Sequence, residues 1–158
     1  MRVRPWLFTA GLVACGGGSG DELRFNSDDQ VTVAIVAGSE TGDDVATDLH
    51  STTGSVTVGT GTVSPGSGPV GTVHTVTIRV ADDYVDSISS AGVITDAGDR
   101  GVEEVSLVQD SADHGLWWRE VTSVGVEGEE RTDTFTFALY TPAPDTDTNG
   151  ILPNGILQ

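Results

Sequence analysis

The sequence predicts an all-β fold built as an antiparallel sandwich, two sheets packed face to face. Three observations carry this. Short segments of alternating apolar and polar residues recur at intervals of about ten residues, the spacing of sandwich strands. Clusters of Gly, Pro, Asp and Ser separate them, as at Gly66–Pro69 and Asp96–Gly101. Helical spacing shows in one place only, residues 43–50, where Val45, Ala46 and Leu49 suggest a short helix capped by Thr41 or Asp43. A strand, a helix and a strand over residues 31–58 would also fit a βαβ crossover, but no further alternation of strand and helix follows. A sandwich with one helical turn in a connection is therefore the expectation.

Taken in order, Val31–Ala37 is the first strong strand, apolar at successive positions and so expected to be buried on both faces. Residues 55–58 form a second strand. In the next, His74, Val76, Ile78 and Val80 alternate with Thr75, Thr77 and Arg79, the pattern of a half-buried strand. Tyr84–Ile88 and Gly92–Thr95 read as short strands, and Val105 and Leu107 mark another. Leu116–Val124 contains the adjacent pair Trp117 and Trp118; neighbours on a strand point to opposite faces, so only one of them can enter the core. Gly125–Arg131 is an acidic hairpin loop. Thr134–Tyr140 has the cleanest alternation in the chain, with Phe135, Phe137 and Leu139 directed inward.

The N-terminal residues are of a different kind. Arg2 and Arg4 give a positive start, Trp6–Ala14 is apolar, and small residues precede Cys15. The apolar run is about half of the ~20 residues that a membrane-spanning helix needs, so a cleaved export signal is expected over residues 1–14. Leu12-Val13-Ala14-Cys15 resembles the lipobox of bacterial lipoproteins. That resemblance implies a Cys15 thiol carrying diacylglycerol, cleavage before it and an acylated, palmitate-type N-terminus. Two or more acyl chains, at ~0.8 kcal/mol per buried CH₂, hold a protein on a bilayer where one is marginal. Gly16, rather than Asp, after the cysteine resembles the pattern sent to the outer membrane. Residues 15–30 are expected to be the lipidated cysteine and a flexible, solvated tether, and residues 142–158 a disordered acidic tail.

A second resemblance covers Val63–Thr72 and Val76-Thr77-Ile78, which are similar to the opening of immunoglobulin-like TIG domains: a short strand, a Pro/Ser/Gly-Pro turn, a Gly-Thr step and a Val-Thr-Ile strand. It implies an immunoglobulin-like sandwich over residues 31–141, clearest over 62–141. After Val80 the chain departs from that pattern, with Ala81-Asp82-Asp83-Tyr84 where the family tends to carry Gly-x-x-Phe.

Charge limits the function. Past residue 14 the chain has five arginines and no lysine against 24 acidic residues, a balance of −19 compared with −17 for all 158 residues. This argues against nucleic acid as a partner, since such surfaces need clustered Lys and Arg. Cys15 is the only cysteine, so lipidation leaves no thiol for disulfides or catalysis. No Gly-x-Ser-x-Gly element is present in the domain, and no enzyme activity is expected. Asp145-Thr146-Asp147-Thr148-Asn149-Gly150 matches the first half of a calcium loop, with candidate ligands Asp145, Asp147 and Asn149, but its twelfth position is Ile156 in place of a bidentate Glu. Asp110, Asp113 and His114 share one loop and are a weaker candidate for a metal or a base. Whichever of Trp117 and Trp118 faces outward is the candidate binding residue, able to stack on a sugar or anchor a protein. The functional expectation is a lipid-anchored cell-envelope binding or structural module facing an envelope protein or glycan, without a cofactor. The alternative is a calcium-dependent surface adhesion or stalk module.

Overall fold

The computed structural model describes residues 29–52, 54–97 and 101–142. The export signal, Cys15, nearly all of the expected tether and the calcium-loop candidates Asp145, Asp147 and Asn149 lie outside the described residues. Within them the chain is the all-β sandwich that the strand spacing predicts, of two five-stranded sheets.

Ten strands follow in order: β1 (Gln30–Ile35), β2 (Val45–His50), β3 (Thr57–Ser64), β4 (Ser67–Gly68), β5 (Val73–Val80), β6 (Ser90–Thr95), β7 (Glu103–Ser106), β8 (Val108–Gln109), β9 (Leu116–Thr122) and β10 (Arg131–Tyr140). The first sheet has the order β4-β1-β10-β6-β7 and the second β2-β3-β5-β9-β8. All pairings are antiparallel except β1 with the two-residue β4. Among the described residues the first strand thus pairs with the last, and the sandwich is closed by contacts of long sequence separation.

The core is formed where the two inner faces meet. From the first sheet come Val33, Ile35, Val93, Phe135, Phe137 and Leu139, and from the second Leu49, Val58, Val63, Val76, Ile78 and Val80, all essentially inaccessible. Gly61 of β3 is part of this fit: a Cβ there would lie 2.6 Å from the Phe137 ring, so its missing side chain is the space that the aromatic fills. Gly66 and Gly68, in the stretch that resembles TIG domains, are required for a similar reason. A Cβ on Gly66 would meet the Asp43 carbonyl at 2.4 Å, and one on Gly68 the Thr72 hydroxyl at 2.2 Å. Those close approaches let the chain pass from β3 in the second sheet to β4 in the first.

Several expectations are corrected. Residues 43–50 hold no helix; Val45–His50 is β2, antiparallel to β3, and Val45, Thr47 and Leu49 face inward with the period of a strand. β1 is not apolar on both faces in effect, since Thr32 and Ala34 are exposed and only alternate residues are buried. Tyr84–Ile88 is not a strand: Asp82–Ser87 is a 3-10 turn carrying the chain from β5 to β6 in the other sheet. Gly125–Arg131 is no hairpin, because β9 and β10 lie in different sheets. The sandwich also begins earlier than residue 31, for Asp29 is already buried and tied to β2.

Candidate functional site: the notch beside Trp118

The two tryptophans separate as strand geometry requires. Trp117 stands opposite Ile78 of β5 and is 7% exposed, in the core. Its Nε1 is buried and has no hydrogen-bond partner among the described residues. Trp118 points outward at 41% exposure, between Thr77 of β5 and Val108 of β8, which is itself 58% exposed.

The surface around Trp118 is shaped by a change of sheet. β7 ends at Ser106 in the first sheet, and the Leu107 amide donates to Ala91 there; at Val108 the chain has joined the second sheet and pairs with Trp118. Leu107, buried, is the corner. Beyond Trp118, β9 therefore loses its neighbour on that side. What is left is an open notch of about 500 Å3 lined by Val108, Trp118, Arg119 and Glu120. The Arg119 guanidinium reaches across the corner and donates to the Ser106 carbonyl at 2.9 Å. The notch presents an exposed indole and a valine with one cation and one anion at their rim, and its lining residues hold no nucleophile beside a base.

A connected group of buried polar side chains lies on the inner side of the sandwich, where β9 runs into Ser123. His74, fully buried on β5, places Nδ1 2.8 Å from the Pro65 carbonyl and Nε2 2.9 Å from the Ser123 hydroxyl. A carbonyl can only accept, so Nδ1 carries a hydrogen. Ser123 donates to Asp133 Oδ2, and Arg131 Nε lies 2.8 Å from Asp133 Oδ1. Arg131 also donates to the Ala97 carbonyl at 2.7 Å. His, Ser and Asp are thus present together, but in the wrong order for acyl transfer. The serine stands between the histidine and the aspartate, inaccessible to any substrate, whereas a nucleophile must be exposed with the histidine between it and the carboxylate. This chain fastens the β3–β4 turn and β5 to the start of β10. The Phe135 ring meets the imidazole edge-on, its centroid 5.9 Å away.

Asp110, Asp113 and His114 do share a loop, but its acidic oxygens are occupied by the turn. Asp110 Oδ1 accepts from the Ala112 and Asp113 amides, and Asp113 Oδ1 from Gly115. Arg79 pairs with Asp113 and, together with the Gly115 amide, lowers its pKa. No group of three or more potential metal ligands converges among the described residues.

Sequence reading missed Asp29 and Asp133, although a signal exists for both. Asp133 is in phase with Phe135, Phe137 and Leu139, and Asp29 with Val31, Val33 and Ile35, so each is a carboxylate at an inward position. An inward carboxylate requires an internal partner. For Asp29 it is His50, whose amide and Nδ1 each lie 2.9 Å from one of its oxygens.

Comparison with protein-family models, curated proteins and solved structures gives no match to the chain. No helix among the described residues is long and apolar enough to cross a membrane.

Proposed function

We propose that the protein is a lipid-anchored module of the cell envelope, held through acylated Cys15 at the outer membrane, which binds an envelope protein or glycan and catalyses nothing. The notch beside Trp118 is its contact face. The observation that carries this reading is an indole left 41% exposed next to a 58% exposed valine on an otherwise threonine-rich sheet surface. Aromatic anchors beside a polar rim are the usual energetic centres of recognition surfaces. The lipobox-like tetrad supplies the anchor, and the immunoglobulin-like character implied by residues 63–78 suits a binding sandwich.

Two measurements on cells test it. Replacing Cys15→Ser is expected to move the protein from the detergent-extracted membrane fraction to the soluble one; unchanged fractionation overturns the anchor. A photoreactive residue in place of Val108 is expected to give a discrete cross-linked adduct that disappears with Trp118→Ala. No adduct, or one indifferent to that change, overturns the contact face.

A further inference from the structure

The hydrogen-bond parity of β9 shows what the notch offers besides side chains. Ser123 and Thr72 are joined by a backbone bond, as are Gly115 and Val80, so the main-chain groups of odd-numbered residues from 115 to 123 face β5. Those of even-numbered residues face β8: Leu116 accepts from Asp110, and Trp118 stands opposite Val108. Glu120 and Thr122 follow on the same side, where no strand among the described residues pairs with them. Their N–H and C=O groups are a short open ladder that starts where the Trp118 and Val108 side chains end.

The sheet margins elsewhere are also interrupted, short or charged, and what sets the open part of β9 apart is the exposed pair Trp118 and Val108 beside it. β2 is bulged between Leu49 and His50, β4 is two residues long, and β7 carries Glu103 and Glu104. Bulges, shortness and charge are the usual protections of an edge. β1 also extends past β4, leaving Gln30 and Thr32 without a strand on that side among the described residues, but its outward residues there are Gln30, Thr32 and Ala34. Only polar and small side chains adjoin that ladder. At β9 the open ladder and the exposed apolar pair coincide.

Resting on the notch being the binding face, we propose that its occupant is an extended peptide strand of an envelope protein, which adds to β9 alongside Glu120–Thr122. Main-chain bonds to Glu120 and Thr122 give affinity, and alternate side chains give selectivity. One apolar side chain of the incoming strand packs on Trp118 and Val108. A basic one faces Glu120, in a protein of net charge −17. Acidic peptides are repelled.

The test uses the full chain and a phage-displayed library of random twelve-residue peptides. Enrichment of alternating apolar and basic sequences is expected. Thr122→Pro removes one open N–H without touching a bond to β5, the position at which a strand tolerates proline. It and Trp118→Ala should each weaken capture roughly tenfold while the protein still melts cooperatively. Glu120→Lys should turn the selection from basic to acidic peptides, which covers the case in which the proline variant fails to fold. On saturation, hydrogen exchange at the Glu120 and Thr122 amides should slow roughly tenfold or more, and at Gln30 and Thr32 stay as it was. If instead a neutral hexasaccharide alters Trp118 fluorescence and leaves exchange at Glu120 and Thr122 unchanged, strand addition is overturned and the binding face stands. If no peptide is enriched and no saccharide binds, or binding ignores Trp118→Ala, both are overturned.

Discussion

Strand β9 is closed along one side and open along the other. Toward β5 every odd-numbered residue is paired, and the strand runs into Ser123, whose hydroxyl links His74 to Asp133 in the interior. Toward β8 the pairing covers Trp118 and Trp117 and then stops. Seven residues thus hold both a margin paired along its length to β5 and an unpartnered notch. The difference teaches that polar complementarity in this fold is concentrated where it fixes the sandwich. The incomplete margin is tolerated because Glu120 and Thr122 are exposed, where main-chain groups need no partner from the protein.

Substituting the two tryptophans separately is the strongest way to break that contrast. Trp117→Ala is expected to cost about 3–5 kcal/mol, the range for emptying an aromatic site in a core. Trp118→Ala should change stability by no more than about 0.5 kcal/mol, as for exposed positions, while abolishing adduct formation at the notch. Urea unfolding of the two variants measures both. Equal losses would mean that the outward indole is a packing residue and the notch no binding face.

Removing the carboxylate of Asp133 comes next. Asp133→Ala leaves Ser123 and the Arg131 guanidinium without their buried acceptor and is expected to cost about 3–5 kcal/mol, the range for breaking one side of a buried pair. Ser123→Ala, which interrupts the link between His74 and Asp133, should cost about 1–3 kcal/mol. If Asp133→Ala melts like the wild type, the closed side owes its stability to packing alone.

Gly61→Ala sharpens the contrast from the facing strand. The added methyl would collide with the Phe137 ring, and overpacking of this kind costs about 1–3 kcal/mol. Gly125→Ala is the comparison at a partly exposed position, against a flexible side chain. Its added Cβ approaches the Arg131 side chain at 3.0 Å, and that side chain must give way by a few tenths of an ångström, so a smaller loss is expected. Thermal melting of the pair decides whether the interior fit is as tight as the geometry states.

These outcomes also show what could be read from the residues. β10 and β5 were legible because buried and exposed positions alternate strictly, from Phe135 to Leu139 and from His74 to Val80. β2 was not, because Val45 and Leu49, four residues apart, satisfy the helical period and the strand period alike. Thr47, inward in the strand, is what separates them, and its type favours a strand only weakly. Glu103–Gln109 alternates as one strand would, and nothing local tells that Leu107 turns it into the other sheet. The notch is therefore a tertiary product. Sequence indicated that one tryptophan must face outward; which one, and the loss of β9's neighbour beside it, depends on where a different strand changes sheets. The His74–Ser123–Asp133 chain joins residues up to 59 positions apart, from His74 to Asp133, and only the inward phase of Asp133 hints at it.

The smallest expected effect lies at the margin between the two sheets, where Asp29 holds His50. The hydrogen bond from the ring to Asp29 raises the His50 pKa above its ordinary value of 6.5; partial burial opposes this, and the nearby charges of Asp29 and Asp48 add to the rise. The protonated ring is thus bound more tightly by the folded state than by the unfolded one. Its contribution is fully present below pH 6.5 and is lost as pH rises through the raised folded value. The wild type should therefore lose melting temperature relative to His50→Gln as pH is increased from about 5.5 to about 8.5. Added salt should reduce the difference at low pH, since His50 is partly exposed and its charge is screened. The Asp29 oxygen that accepts from the His50 amide keeps β1 fastened to β2 at either end of that range, so the transition should stay cooperative throughout. A difference that is flat with pH would mean that the ring serves Asp29 as a neutral donor, and the contact would then belong with the hydrogen bonds of the interior.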